Sequence, residues 1–110
     1  MTRIKSVLAR TVRIPLDAPT FFSTRKVTNR EYSIVRVTGD DGHTGIGFCY
    51  GGHAGASLVT AAVRELLAPV VVGQDAHRTE GLWQEMYQEA LLHGRAGSVM
   101  RAISIMDIAL

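Results

Sequence analysis

The apolar residues of this 110-residue chain change their period halfway along it, which limits the fold to a small sheet followed by helices. Between residues 4 and 16, Ile4, Leu8, Val12, Ile14 and Leu16 occupy even positions, and Lys5, Thr11 and Arg13 occupy odd ones. That spacing predicts a half-buried strand, with Arg10 as an exception. Pro15 has no N–H to give a ladder, so the strand should end near it. Residues 17–28 set turn formers and polar groups around Phe21 and Phe22 and predict a loop. Residues 31–38 are β-branched and aromatic, as strands prefer. Gly39-Asp40-Asp41-Gly42 reads as a hairpin turn, because Asp-Gly tolerates the positive φ such turns require. Residues 43–50 then return as a third strand. Gly45, Gly47 and Cys49 share one of its faces, which predicts that another element packs close there.

Beyond residue 56 the spacing is helical. Ser57 is placed to cap a helix carrying Leu58, Val59, Ala62, Val63, Leu66 and Leu67, and Pro69 to stop it. Residues 70–73 form an apolar connector. Asp75 is placed to cap a second helix, with Leu82, Trp83, Met86, Tyr87, Ala90 and Leu91 on its apolar side and Gly94 at its end. Ser98 opens a third helix that is polar only along Arg101, Ser104 and Asp107. A helix apolar almost all round belongs in an interior. It reaches Leu110 without a terminal glycine or a basic last turn, so the chain reads as interrupted within an element. The expected fold class is α+β: a three-stranded antiparallel β-meander followed by a helical subdomain.

Composition removes several function classes. Apolar residues make up 46% of the chain and charged ones 20%, which excludes wholesale disorder. Twelve basic residues are scattered without a run, so no nucleic-acid patch is expected. No apolar stretch approaches the roughly 20 residues of a membrane span, and residues 1–13 lack a secretory core. A soluble cytoplasmic protein is the expectation. Cys49 stands alone, so no internal disulfide forms, and the four histidines show no zinc-ligand spacing. Gly45-x-Gly47 and Gly51-Gly52 mimic a dinucleotide loop, but Tyr50 stands where that fingerprint needs glycine. The preceding strand also closes a hairpin, where the fingerprint wants a parallel unit.

Five segments in order carry a resemblance. They are Val12-Arg13-Ile14-Pro15-Leu16; Ile34-Val35-Arg36-Val37 with Asp41-Gly42, Gly45-Ile46-Gly47-Phe48 and Tyr50; Leu67-Ala68-Pro69 with Val72-Gly73-Gln74-Asp75; Gly94-Arg95-Ala96-Gly97; and Arg101-Ala102-Ile103-Ser104 with Asp107-Ile108-Ala109-Leu110. Together they resemble the N-terminal capping domain of the mandelate racemase and muconate lactonising enzymes of the enolase superfamily. The resemblance implies a complete enzyme that abstracts a proton next to a carboxylate and holds the enediolate on Mg²⁺. In that family the base lysine, the three carboxylate metal ligands and the His-Asp dyad lie on the strands of a TIM-type barrel of about 250 residues. Lys5 and Lys26, the two lysines here, fall in the cap and take no such role.

On this resemblance, residues 1–97 are the capping domain and residues 98–110 the helix that enters a missing barrel. No catalytic or metal-binding residue is expected in the chain, and it should be inert alone. Its expected partners are its own C-terminal barrel, a small carboxylate substrate and further copies in a homo-oligomer, with neither nucleic acid nor membrane. The family's cap contributes specificity through two loops over the barrel mouth, which fall here on residues 17–28 and 51–55. Candidate substrate-binding residues are therefore Phe21, Phe22, Arg25, Lys26 and His53. Phe21 and Phe22 fit a pocket wall or a small cluster anchoring the loop. Arg25 and Lys26 fit carboxylate recognition or solvated loop charge. His53, flanked by Gly52 and Ala54, fits a donor to a substrate hydroxyl or an idle surface imidazole. The alternative function is a stand-alone binding or assembly module with the same fold. The expectation on activity is direct: these 110 residues should show no micromolar Mg²⁺ binding by calorimetry, and such binding would refute it.

Overall fold

The computed structural model describes the backbone of residues 1–22, 25–52, 54–93 and 97–110, and the side chains of these except 17, 19–22 and 25–27. One antiparallel sheet has the order β1 (Ile4–Phe22), β2 (Arg25–Gly39), β3 (Thr44–Tyr50). Helix α1 (Ala56–Ala62) runs through a π turn at Val63–Leu67 into α2 (Ala68–Val71). Helix α3 (Thr79–Ala90) ends in a 3₁₀ turn at Leu91–His93, and α4 (Ser98–Ala109) follows. The expected meander and helical subdomain are both present.

Residues 17–28 are not a plain loop. The β1–β2 ladder resumes at Thr20↔Val27, Phe21↔Lys26 and Phe22↔Arg25 after an irregularity between Pro15 and Thr20. Pro15 and Pro19 cannot donate to a ladder, which accounts for the interruption, and the aromatic and β-branched residues beyond them favour strand again. The turn-forming residues thus mark a break within a long hairpin arm.

A second irregularity, between Ile4 and Ser6, reverses the parity of β1. Ile4 is buried and so is Ala9, while Leu8 and Ile14 are exposed. The even-numbered apolar residues of β1 therefore do not share a face. Leu8, Ile14, Ile34, Ile46, Phe48 and Tyr50 are exposed on the outer face, where Tyr32 packs its ring against Phe48 and Tyr50 at centroid separations of 6.3 and 5.7 Å. The inner face carries Ala9, Ser33, Val35, Val37 and Gly47 and receives the helices.

Helix termini depart from the local signals. Helix α1 starts at Ala56 behind Gly55, and Ser57 is exposed and caps nothing. Pro69 sits in the first turn of α2 and does not end the helix. The π turn makes this possible: Ala68 N–H donates to the Val63 carbonyl five residues back, a wider turn that leaves room for the proline ring. Asp75 closes a turn, its Oδ1 accepting from His77 N–H at 3.1 Å, and α3 begins later, at Thr79. The expected stop at Gly94 lies outside the described residues.

Helix α4 is the centre of the core. Ala102, Ile103, Ile105, Met106 and Ala109 are buried against the sheet, α1 and α3. Ile103 and Met106 are covered within this chain, Val99 and Leu110 only in part, and Ile108 is the large exposed residue of the helix, at 67%. The glycines of β3 make the packing possible. A Cβ on Gly45 would strike the Ala109 carbonyl oxygen, and one on Gly47 the Ile105 carbonyl oxygen.

At the β2–β3 turn Gly42 has φ +88°, and Asp41 accepts from the His43 backbone N–H at 3.0 Å and from its Nδ1 at 3.0 Å. Hydrogen bonds from His43 hold the Asp41 carboxyl down to about 2, and the same contact pushes the His43 imidazole above its ordinary range. Asp41 therefore supports the fold above the ordinary carboxylate range and loses that role as pH falls toward 2. His43 does so below the ordinary histidine range and loses it as pH rises through its raised value. In an NMR titration His43 should protonate at higher pH than an ordinary histidine, and Asp41→Asn should lower that midpoint; an unchanged midpoint would break the pairing. Gly47→Val should cost about 3 kcal/mol or more by overpacking, lowering Tm by roughly 10 °C or more. Gly42→Ala, strained only in φ with open space around it, should cost about 1–2 kcal/mol. A reversed order of these two in thermal melts would deny the close approach.

Candidate functional site

The antiparallel order sets two segments at one end of the sheet. Tyr50, the last residue of β3, pairs with Tyr32, and the chain leaves the sheet there. The β1–β2 arm continues past it from Glu31 to Arg25, which at strand rise is about 20 Å. Phe21, Phe22, Arg25 and Lys26 therefore lie at the far end of the arm, with their side chains outside the described residues. His53 lies outside the described residues altogether. The structure brings the base of the 51–55 segment beside the base of the arm, at Glu31.

Glu31 is the hub of that junction and is 7% exposed. Its backbone N–H donates to the Gly52 carbonyl at 2.7 Å, and its own carbonyl accepts from Gly51 N–H at 2.8 Å. Its carboxylate accepts from Arg13 Nε and Nη2, at 3.1 and 2.8 Å, on Oε2. On Oε1 it accepts from Ala56 N–H at 3.2 Å. The Arg13 guanidinium holds the Glu31 carboxyl below its usual range, with help from the Ala56 N–H and against the effect of burial. Helix α1 has no acidic residue in its first turn and no cap of its own, so Glu31 supplies both the acceptor and the negative charge that a helix start favours.

Two further contacts fix the surroundings. Arg101 of α4 donates from Nη1 to the Tyr50 carbonyl at 2.8 Å, holding the end of β3. Beneath, Thr60 Oγ1 lies 2.8 Å from both Thr11 Oγ1 and Ser33 Oγ and donates to the Ala56 carbonyl, tying α1 to β1 and β2. Gly51 packs so closely on Ala56 that a Cβ there would sit 2.6 Å from the alanine methyl. Gly52 and Gly55 take φ of +83° and +98°, which lets the segment fold back on itself.

Sequence reasoning missed Arg13, Glu31 and Arg101. Arg13 and Glu31 are 18 residues apart, and only the strand register sets them opposite one another. The remaining polar candidates lie elsewhere. His43 and Asp41 sit at the opposite end of the sheet, and Cys49 is partly buried, its thiol pushed up chiefly by that burial. Among the described residues no three His, Cys, Asp or Glu side chains gather where they could hold a metal ion. The described residues thus do not fit a magnesium site. No helix among them is long and apolar enough to cross a membrane. Their arrangement orders backbone at one end of the sheet.

Known proteins share this architecture. The family described as mandelate racemase / muconate lactonizing enzyme, N-terminal domain, matches residues 4–110. The chain belongs to that family. Among relatives, the 3,6-anhydro-alpha-L-galactonate cycloisomerase of Streptomyces coelicolor is 35% identical over 97% of this chain and 30% of its own. The L-rhamnonate dehydratase of Saccharopolyspora erythraea is 36% identical over 70% of this chain and 19% of its own. A racemase from Streptomyces coelicolor with bound magnesium superposes with a TM-score of 0.90 at 34% identity, over 96% of this chain and 30% of its own. The L-talarate dehydratase from a Polaromonas species, complexed with Mg and L-glucarate, gives 0.89 at 26% identity, over 99% and 31%. This N-terminal domain of the family thus spans under a third of the length of these proteins. The Glu31 junction predicts its own disruption test: Glu31→Ala should remove the α1 cap and cost about 1 kcal/mol or more, whereas Ser57→Ala should stay within about 0.5 kcal/mol in denaturant melts.

Proposed function

We propose that this chain is the substrate-capping, specificity-determining N-terminal part of a Mg²⁺-dependent enzyme acting on sugar acids. The reaction class is a dehydration, racemisation or cycloisomerisation begun by proton abstraction next to a carboxylate. The observation that carries the reading is the placement of the β1–β2 arm and the 51–55 segment at one end of the sheet, in a chain whose relatives are cycloisomerases and dehydratases of sugar acids. The metal and the groups that move the proton belong on this reading to a C-terminal barrel, entered through residues 98–110 behind a capping domain of residues 1–97. The exposed Ile46, Phe48 and Ile108 around β3 and α4 support a further protein surface packing there. The working protein is a cytoplasmic homo-oligomer with a small carboxylate substrate.

Phe21, Phe22, Arg25, Lys26 and His53 contact the part of the substrate remote from the reacting carbon. In the full-length enzyme Phe22→Ala, Lys26→Ala and His53→Ala should leave Mg²⁺ affinity intact. Each should change the preferred acid in a panel of hydroxy and sugar acids, by roughly 10- to 200-fold per lost contact in kcat/KM ratio. If all three variants keep the parent's ranking, the assignment of the site fails.

A further inference from the structure

The 51–55 segment contains four glycines and alanines around His53, residue types that themselves bring no side-chain anchor. A segment with three glycines in five residues has much backbone freedom to lose on ordering. The structure nevertheless ties both of its ends to a single residue. Glu31 accepts from Gly51 and donates to Gly52 through its backbone, and reaches Ala56 through its carboxylate. The carboxylate is itself held by two guanidinium nitrogens of Arg13 from the neighbouring strand.

We propose that Glu31, braced by Arg13, is the positioning residue of the cap: it sets where the 51–55 segment stands, and through it the fit of the bound acid. The inference rests on the reading of this chain as a substrate cap. The backbone bonds alone would register the start of the segment at any residue occupying position 31. The side chain adds the far end: Oε1 accepts from the Ala56 N–H while Oε2 accepts from Arg13, and the single oxygen of an amide could replace only one of these. Arg13 is the more exposed partner, with 64% of its side chain open, and Glu31 the buried one at 9%. The anion therefore depends on the cation for its compensation, since a buried carboxylate left alone is costly. With the carboxyl held below its usual range, the brace is charged throughout neutral pH. Arg101, on the Tyr50 carbonyl, fixes the strand end from the other side and leaves Glu31 to govern the segment itself.

The test uses the full-length enzyme carrying this chain, with Glu31→Gln, Glu31→Ala and Arg13→Lys. Hydrogen exchange, read peptide by peptide, needs no activity. Exchange across residues 51–56 should rise about tenfold in Glu31→Ala and less in Glu31→Gln, whose amide oxygen still accepts from Ala56, while residues 102–109 keep parental protection. KM for the preferred acid should rise roughly five- to tenfold, several times more than kcat falls, with the panel ranking altered. Arg13→Lys should show both effects in weaker form than Glu31→Ala, because a single ammonium keeps the charge but not the two-nitrogen contact. Unchanged exchange at 51–56 in every variant would overturn the proposal. So would exchange rising equally at 102–109, which marks general loosening, or local loosening with KM and ranking unmoved. If Glu31→Ala does not fold, Glu31→Gln and Arg13→Lys decide by the same readouts. An enzyme that turns over none of the acids but shows loosening confined to 51–56 would refute the proposed function and leave the positioning by Glu31 standing.

Discussion

Everything in this domain depends on one close approach: the backbone of α4 lies directly on β3 where Gly45 and Gly47 leave no side chain in the way. Close packing of this kind cannot be graded, since any Cβ at either glycine would overlap a carbonyl of the helix. With α4 seated there, its other sides meet α1 and α3, and Ile103, Ile105 and Met106 complete the core. The same seat brings Arg101 to the Tyr50 carbonyl and so fixes where the chain leaves the sheet. The end of β3, from which the 51–55 segment departs, is thus held by a helix-on-sheet contact that begins at Gly47, three residues before Tyr50.

The sheet shows how one irregularity redistributes a whole pattern. Strand side chains alternate with a period of two, so a single extra residue sends every later position to the other face. The break between Ile4 and Ser6 does this in β1, keeping Ile4 inside while Leu8 and Ile14 face outward. The outer face then carries Ile34, Ile46, Phe48 and Tyr50 as well.

Among the described residues, the ion pair with a buried partner is that of Arg13 and Glu31. Arg13 and Glu31 meet at the only level of the sheet where β3 has just ended and the β1–β2 arm goes on alone. A carboxylate buried at that point satisfies a helix start that its own sequence leaves uncapped. The hydroxyls of Thr11, Ser33 and Thr60 satisfy one another just below, so α1 joins the sheet through polar contacts at its start and apolar ones further along.

The sequence by itself determined the α+β class, the meander, the Asp41-Gly42 turn and the close packing on Gly45 and Gly47, because each is written in residues near one another in the chain. Period, turn chemistry and missing side chains act locally. Tertiary structure decided the rest. Pro69 reads as a stop, but a π turn held among packed helices admits it; Ser57 reads as a cap, but the acceptor comes from Glu31, 25 residues earlier. Residues 17–28 read as loop, but the ladder partner in β2 draws Thr20, Phe21 and Phe22 back into strand. Candidate site residues could be named from sequence as loop positions. Which residue holds a segment in place could not, since Arg13, Glu31 and Ala56 become neighbours only when strand register and the α4 seat have brought distant parts of the chain together.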